Sequence, residues 1–378
     1  MRVVILSKDV IPGMGVPVAA PGLRTWGMAL GLRALGHEVT ILIDHWLVST
    51  VWRGTVPPPM PRGSGVMQIK RVADYVRTHA VDAVVITNST NVERLGDLGR
   101  CRVVCDFFAP KMLELSENVE REDLDDAKRL LTERKVAALA RSDAVAVNGA
   151  KKLSYVREWL ARSGVPDLPI AVVNPGLPHV APRAASDGPL QAVVSGYLQP
   201  WSRPGAWAEA ALPVLDSGEM TLHLMVGEHW GQRSTPQGMP EEMRRVAEHP
   251  AVVTHGLLRF GDFRDLLARC HLSIDVFDRN PERELAMVTR SVVALSCGLP
   301  VLHVPFTEVS PWIQEYGAGW LVEEHDVAAM HEILSKAAAN LGTLDRPREG
   351  AVAVSEKVLD PAVAASPLAD LIQTVVGR

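Results

Sequence analysis

The chain has 378 residues, 47% of them hydrophobic and 22% charged, and a formal net charge of −5. That length suits two globular domains, and the absence of a basic excess argues against nucleic acid as a partner. The four cysteines at 101, 105, 270 and 297 form no CxxC pair, so a zinc knuckle is not expected; apolar neighbours make them small buried hydrophobes of a reducing compartment.

MRVVILSKD has too short an apolar run for a signal peptide, and no stretch of 18 apolar residues exists to span a membrane, so a cytoplasmic location is expected. Residues 3–7, VVILS, predict a buried parallel strand: short, β-branched and without polar alternation. The Gly/Pro-rich loop PGMGVPVAAPG leads into a helical stretch, LRTWGMALGLRALG. Trp26, Ala29, Leu30 and Ala34 share one face of it, and Gly36 holds the capping position. EVTILI, DAVVIT, RVVCDFF, DAVAVN and IAVVN continue the strands, with helical stretches between most of them. The longest, DLDDAKRLLTERKVAALARS, is acidic at its start and basic at its end, as the macrodipole favours. PGLPHVAPRAASDGP, residues 175–189, reads as a linker. The pattern restarts with QAVVSG and the helix PGAWAEAALPVL, then runs through LHLMVG, AVVTHG, LSIDVF, PVLHV and GWLV. Two helical candidates, around VAVSEK and ADLIQTVV, close the chain.

Strands interleaved with helices predict two tandem α/β halves, each a parallel sheet covered on both faces. The expected division is a first domain at 1–176, a linker at 177–189, a second domain at 190–350, and terminal helices at 351–378 that return to the first domain.

Open parallel sheets bind ligands beyond the carboxyl ends of their strands, so residues just after each strand are the candidates. Gly13 and Gly15 follow the first strand, with Gly22 near the helix start. Glycines there let backbone N–H groups approach an anion, or they simply make a turn; the spacing is not G-x-G-x-x-G. Arg24 sits against the dipole in the first helical turn, which calls for an anionic partner or leaves a solvated side chain. Asp106 closes RVVCD, either to accept from ligand hydroxyls or to cap a turn; Asn88 is a weaker case. Gly196 and Tyr197, then Gly227, Glu228 and His229, then His255 and Gly256 follow three strands of the second half. His45, Trp46 and Trp52 in DHWLVSTVW line an acceptor pocket or pack as core, with core the preferred reading.

The densest stretch is ERELAMVTRSVVALSCGLPVLHV, residues 282–304. A helix is expected from Glu284 to Gly298, its amino end facing a diphosphate. Glu282 and Glu284 complement the dipole there or grip sugar hydroxyls, Arg283 or Arg290 neutralises phosphate, and Thr289 adds a hydroxyl. Arg290, more than one turn inside an apolar helix, needs a phosphate or a structural partner.

These pieces together resemble the glycosyltransferases of the GT-B fold, close to the large retaining group that includes many lipopolysaccharide and antibiotic sugar transferases. The resemblance covers nearly the whole chain. It rests on MRVVILSKD with its spaced glycines, ALGHEVTIL, DAVAVNGAKKLSYV, AVVNPGL and, most specifically, SCGLPVLHV…EYGAGWLV. Within the group it is similar to a subset with G-x-R at the first helix, D-x-x-x-P (here DFFAP) and ERELA-x-x-TR. Two features depart from the family. Its E-x7-E pair falls on Leu285 and Val293, leaving Glu282 or Glu284 to replace the first glutamate. Its arginine-lysine pair after Gly196 is absent from YLQPWSRP, where Arg203 is a weak candidate.

The resemblance implies two Rossmann-like parallel-sheet domains facing across a cleft. It implies sugar transfer, with retention, from a nucleotide sugar as co-substrate to a hydroxyl or amine on a glycan or natural product. No cofactor, metal or nucleic acid is expected, and peripheral membrane contact is left open. The expected catalytic residues are Asp106, Glu284 and Arg290. The expected donor contacts are Gly15, Arg24, Gly196, Tyr197, Gly227, Glu228, His255, Gly256, Glu282, Arg283 and Thr289. A nucleotide-sugar epimerase or hydrolase on the same fold, or a non-catalytic sugar-binding chain, are the alternatives.

Overall fold

A computed structural model describes every residue except 53–55, 88–91, 93, 118–121, 185–186, 198, 200, 228–240 and 378. The expectations for Asn88, Glu228 and His229 lie outside the described residues. The chain forms two compact units, Met1–Leu177 with Asp360–Arg378, and Pro178–Leu359.

The first unit holds a seven-stranded sheet of β1 (Arg2–Ser7), β2 (Glu38–Asp44), β3 (Ser64–Met67), β4 (Ala83–Thr87), β5 (Arg102–Phe107), β6 (Ala144–Val147) and β7 (Ile170–Val172). Its order is β3-β2-β1-β4-β5-β6-β7, with every neighbouring pair parallel. The crossovers carry α1 (Ala20–Ala34), α2 (His45–Val51), α3 (Val72–Thr78), α4 (Lys111–Ser116), α5 (Leu124–Ala140) and α6 (Leu153–Arg162). Helices on both faces explain why β1, β4 and β6 are unbroken apolar runs, buried throughout their centres.

The second unit holds a six-stranded parallel sheet of β8 (Leu190–Tyr197), β9 (Met220–Gly227), β10 (Val252–His255), β11 (Leu272–Asp275), β12 (Val301–His303) and β13 (Gly319–Leu321). The order is β10-β9-β8-β11-β12-β13. Its helices are α7 (Trp207–Asp216), α8 (Glu241–Ala247), α9 (Phe260–Arg269), α10 (Pro281–Glu284), α11 (Thr289–Ser296), α12 (Ser310–Tyr316), α13 (Val327–Ala339) and α14 (Asp345–Lys357). The last helix, α15 (Pro361–Val376), belongs to the first unit. Residue 351, the expected start of the terminal segment, falls inside α14, which stays with the second unit.

The reading of α1 needs correction. The apolar face read on α1 is only partly its buried face: Ala29 is buried, together with Arg24, Thr25, Met28 and Leu32, while Trp26 and Leu30 are half-buried and Ala34 is exposed. The reason is backbone approach. A Cβ at Gly22, Gly27 or Gly31 would lie 1.9, 2.1 or 1.9 Å from the carbonyl oxygens of Val10, Gly176 and Pro361, so glycines help to mark the packed side. The proline-rich stretch after Leu177, expected as a linker, is hydrogen-bonded within the second unit. Val180 N–H donates to the Ser296 carbonyl at 2.9 Å, Arg183 N–H to that of Ala268 at 2.6 Å, and His179 Nδ1 lies 3.0 Å from Ser355 Oγ. Among the described residues, no helix is long and apolar enough to cross a membrane.

Lys135 of α5 is 3% exposed, its ammonium 3.8 Å above the Phe107 ring and 5.4 Å from that of Trp159. Burial lowers its pKa to about 8. Between about pH 8 and 10.5 the unfolded chain holds this proton and the folded one does not, so stability rises with pH across that window. Lys135→Met is expected to stabilise the protein at neutral pH by about 1–2 kcal/mol, the desolvation cost less the cation–π attraction. It should also flatten the alkaline rise. Urea unfolding at neutral and alkaline pH checks both; an unchanged pH slope would show that the amine is not the cause.

Candidate functional site

In each sheet the strand order reverses once, between β1 and β4 in the first unit and between β8 and β11 in the second. Loops leave such a switch point in opposite directions and open a crevice at the strand ends. The second unit gathers a charged cluster there. Asp275, the last residue of β11, is 4% exposed; Arg290 Nε donates to its Oδ1 and Ser291 Oγ to its Oδ2. His303 Nδ1 lies 3.0 Å from the Asp275 carbonyl oxygen, and His303 Nε2 lies 2.9 Å from Thr307 Oγ1. Thr307 Oγ1 continues to Ser310 Oγ at 2.9 Å. Burial pulls the His303 pKa down to about 4, against the opposing attraction of Asp275. The ring is therefore neutral, held between the Asp275 carbonyl and the Thr307 hydroxyl. The members of this network are buried and bonded, which fixes where Asp275 points and, through it, Arg290.

Arg290 is not deep in a helix as expected. The stretch from 281 to 296 is two helices. Asn280 Oδ1 caps the single turn α10 by accepting from Arg283 N–H at 2.9 Å. Val288 is extended, with φ −67° and ψ 95°, and α11 begins at Thr289. The Ala286 carbonyl accepts from Glu308 N–H at 3.1 Å, an amide from a distant loop, instead of continuing a helical ladder. Arg290 consequently sits in the first turn of α11, where the dipole also favours an anion. Its Nη2 donates to Ser202 Oγ at 3.2 Å, its guanidinium lies 5.2 Å from the Phe277 ring centroid, and its side chain keeps 22% of its surface exposed.

Gly196 explains itself beside that arginine. Its φ of +142° is open only to glycine, and a Cβ would lie 2.8 Å from Arg290 Nη1. Gly196→Ala is expected to lower stability through two separable costs. Backbone strain of about 1–3 kcal/mol remains in any background, whereas the clash disappears in Arg290→Ala. Thermal denaturation of the single and double variants measures the difference, and equal costs in both backgrounds would show that the two residues do not touch.

The other expected donor residues of the second unit divide. Glu282 and Arg283 are 3% and 9% exposed and bonded to each other, with the Arg283 guanidinium 5.4 Å from the Phe277 centroid; a pair so buried does not present its charges to a ligand. Glu284 is half-exposed, with Arg279 Nε 3.0 Å away. Thr289 is half-buried and donates to the Met287 carbonyl at 3.4 Å. Tyr197 and Gly227 end β8 and β9 in register, and Gly256 is exposed just after β10. His255 turns back along the sheet: its Nε2 lies 3.0 Å from His223 Nδ1, and His223 Nε2 lies 3.0 Å from Gln191 Oε1. Burial holds both imidazole pKa values below the usual range.

In the first unit Gly15 is exposed in the loop after β1, with φ +76°. Arg24 and Asp106 are neither solvated nor free. Arg24 Nε and Nη2 donate to the two Asp106 oxygens at 3.2 and 2.9 Å, while Nη1 donates to the carbonyls of Val173 and Asn174 at 2.5 and 3.1 Å. Arg24 is 3% exposed and Asp106 0%. The anionic partner that Arg24 required is Asp106, and this fork occupies the carboxylate that was expected to meet hydroxyls.

Sequence reasoning missed Asp275, Ser202, Ser291 and His303. A carboxylate closing the apolar strand LSID was a usable signal for the first; the others come together only through the sheet. Among the described residues, no group of three or more His, Cys, Asp or Glu side chains is gathered to hold a metal.

No protein-family model and no curated protein matches the sequence. Solved structures do match. Sucrose-phosphate synthase from Thermosynechococcus elongatus superposes with a TM-score of 0.67 at 14% identity, over 100% of this chain and 99% of that one. HepE from Anabaena, in complex with UDP and glucose, gives 0.65 at 14% identity, over 99% and 100%. WaaG, a glycosyltransferase involved in lipopolysaccharide biosynthesis, gives 0.63 at 14% identity, over 100% of both chains. At such identities the likeness is one of fold, and it runs the full length of each chain: this protein has the GT-B fold.

Proposed function

We propose that the protein is a glycosyltransferase that moves a sugar from a nucleoside diphosphate donor to a hydroxyl or amine acceptor, with retention of anomeric configuration. The observation that carries this reading is Arg290, a partly exposed guanidinium at the amino end of α11, beside Gly196 at the switch point of the second sheet. In this reading Arg290 occupies the role that the absent arginine-lysine pair after Gly196 has in the resembling family.

Breaking the bond from the anomeric carbon to the diphosphate places negative charge on the departing phosphate oxygen. Arg290 and the α11 amide dipoles stabilise that charge, and Asp275 holds the guanidinium in position beforehand, so little reorganisation is needed at the transition state. Glu284 bonds a hydroxyl of the donor sugar. The second unit takes the donor and the first unit the acceptor. HepE binds UDP and glucose, and an alpha-glucosyltransferase that superposes with a TM-score of 0.67 at 13% identity was solved with UDP-glucose, which makes a uridine donor the first to test.

Calorimetry with UDP, GDP, ADP and TDP, each beside its nucleoside, tests the reading. At least one diphosphate should bind tenfold or more tightly than its nucleoside. A folded protein that binds none of them would end the proposal.

A further inference from the structure

We propose that Ser202 binds the same phosphate as Arg290, its hydroxyl donating directly to a phosphate oxygen; this rests on the glycosyltransferase reading and adds a second side chain to the donor contact. Ser202 lies in the loop after β8, and its Oγ accepts from Arg290 Nη2 at 3.2 Å. A hydroxyl carries one proton and two lone pairs. A lone pair is committed to the guanidinium, so the proton is turned away from it. Among the described residues no acceptor takes that proton, and Ser202 is only half-buried. Arg290 Nη1 also makes no hydrogen bond among the described residues.

The pairing strengthens the hydroxyl as a donor. An oxygen that accepts from a cation is polarised, and its own proton is then given more strongly to an anion. Charge calls for such a donor here. Asp275 is paired with Arg290 and offsets part of its positive charge, so a diphosphate needs more donors than the guanidinium alone.

The backbone holds Ser202 ready. Its N–H donates to the Gln199 carbonyl at 3.0 Å. Asn280 Nδ2 donates to the Trp201 carbonyl at 2.9 Å, Asp278 N–H to that of Arg203 at 3.0 Å, and Gly205 N–H to that of Val276 at 3.2 Å. These bonds stitch the loop after β8 to the loop after β11, and those two strands flank the switch point of the second sheet. The hydroxyl therefore stands beside Arg290 before any ligand arrives, and little ordering is left to be done on binding. A serine that served only to steady Arg290 would use its lone pair and not its proton, and the two roles separate by experiment.

Titration calorimetry on the full chain with UDP, uridine and inorganic pyrophosphate makes the test, with urea unfolding to show that each variant is folded. Ser202→Ala should weaken UDP and pyrophosphate roughly tenfold, the scale of one hydrogen bond to a charged group, and leave uridine unchanged. Ser202→Thr keeps the hydroxyl and should stay within about threefold of wild type. In the Arg290→Ala background Ser202→Ala should still cost roughly threefold, because a direct bond to phosphate outlasts the arginine. Equal affinity of wild type and Ser202→Ala, failure of Ser202→Thr to keep binding, or no cost in the Arg290→Ala background overturns the proposal; the last result would make Ser202 a positioning residue for Arg290. Wild-type protein that binds pyrophosphate but no nucleoside diphosphate counts against the transferase reading alone, since pyrophosphate still reports on Ser202. Wild-type protein that binds neither overturns both.

Discussion

Replacing Arg290 by alanine is expected to weaken UDP binding by roughly 10- to 100-fold and leave uridine binding unchanged, the scale of a lost charge-assisted hydrogen bond to phosphate. The substitution also strands Asp275, which is 4% exposed and, among the described residues, then keeps Ser291 Oγ as the side-chain donor hydrogen-bonded to its carboxylate. Some stability will go with it, because a buried carboxylate without its cation is costly. Arg290→Ala combined with Asp275→Asn removes the stranded charge. The double variant should recover stability without recovering UDP affinity. Arg290→Lys should be intermediate, since an ammonium carries the charge without the planar fork that meets Asp275 and Ser202 together. Titration calorimetry beside urea unfolding separates the two effects. Equal losses for UDP and uridine would make Arg290 a structural residue.

The largest stability effect is expected at the other ion pair. Arg24→Met or Asp106→Ala should each cost about 3–5 kcal/mol, because either leaves an unpaired charge in a site closed to water. Removing both with apolar residues should cost less than the sum. Arg24 also bonds the carbonyls of Val173 and Asn174, so its loss frees acceptors that link α1 to the segment after β7. The midpoint of urea unfolding is the measurement. If Asp106→Ala kept wild-type stability and lost turnover, the carboxylate would be catalytic after all.

The fold was legible because a parallel sheet buried on both faces writes itself as short β-branched runs. VVILS, DAVVIT and RVVCDFF all locate strands of the first sheet. The α1 face was misread because glycine carries no hydrophobic signal yet permits the closest packing, as at Gly31. The division between α10 and α11 was invisible because a single amide, Glu308 N–H, draws off the Ala286 carbonyl from 22 residues along the chain. At the candidate site, Arg290 was found from its type and setting, whereas its partner Asp275 was not, since only the crossover from β11 through α10 to α11 brings them together. Arg24 and Asp106 show the same limit across 82 residues: each was noticed alone, and neither was seen to neutralise the other.

The return of α15 to the first unit has a consequence for biosynthesis. Gly31 lies bare until Pro361 covers it, so the amino-terminal half leaves the ribosome incomplete and waits for the whole second half to be made. The packing of α1 is therefore completed by residues that are synthesised only after the whole second unit.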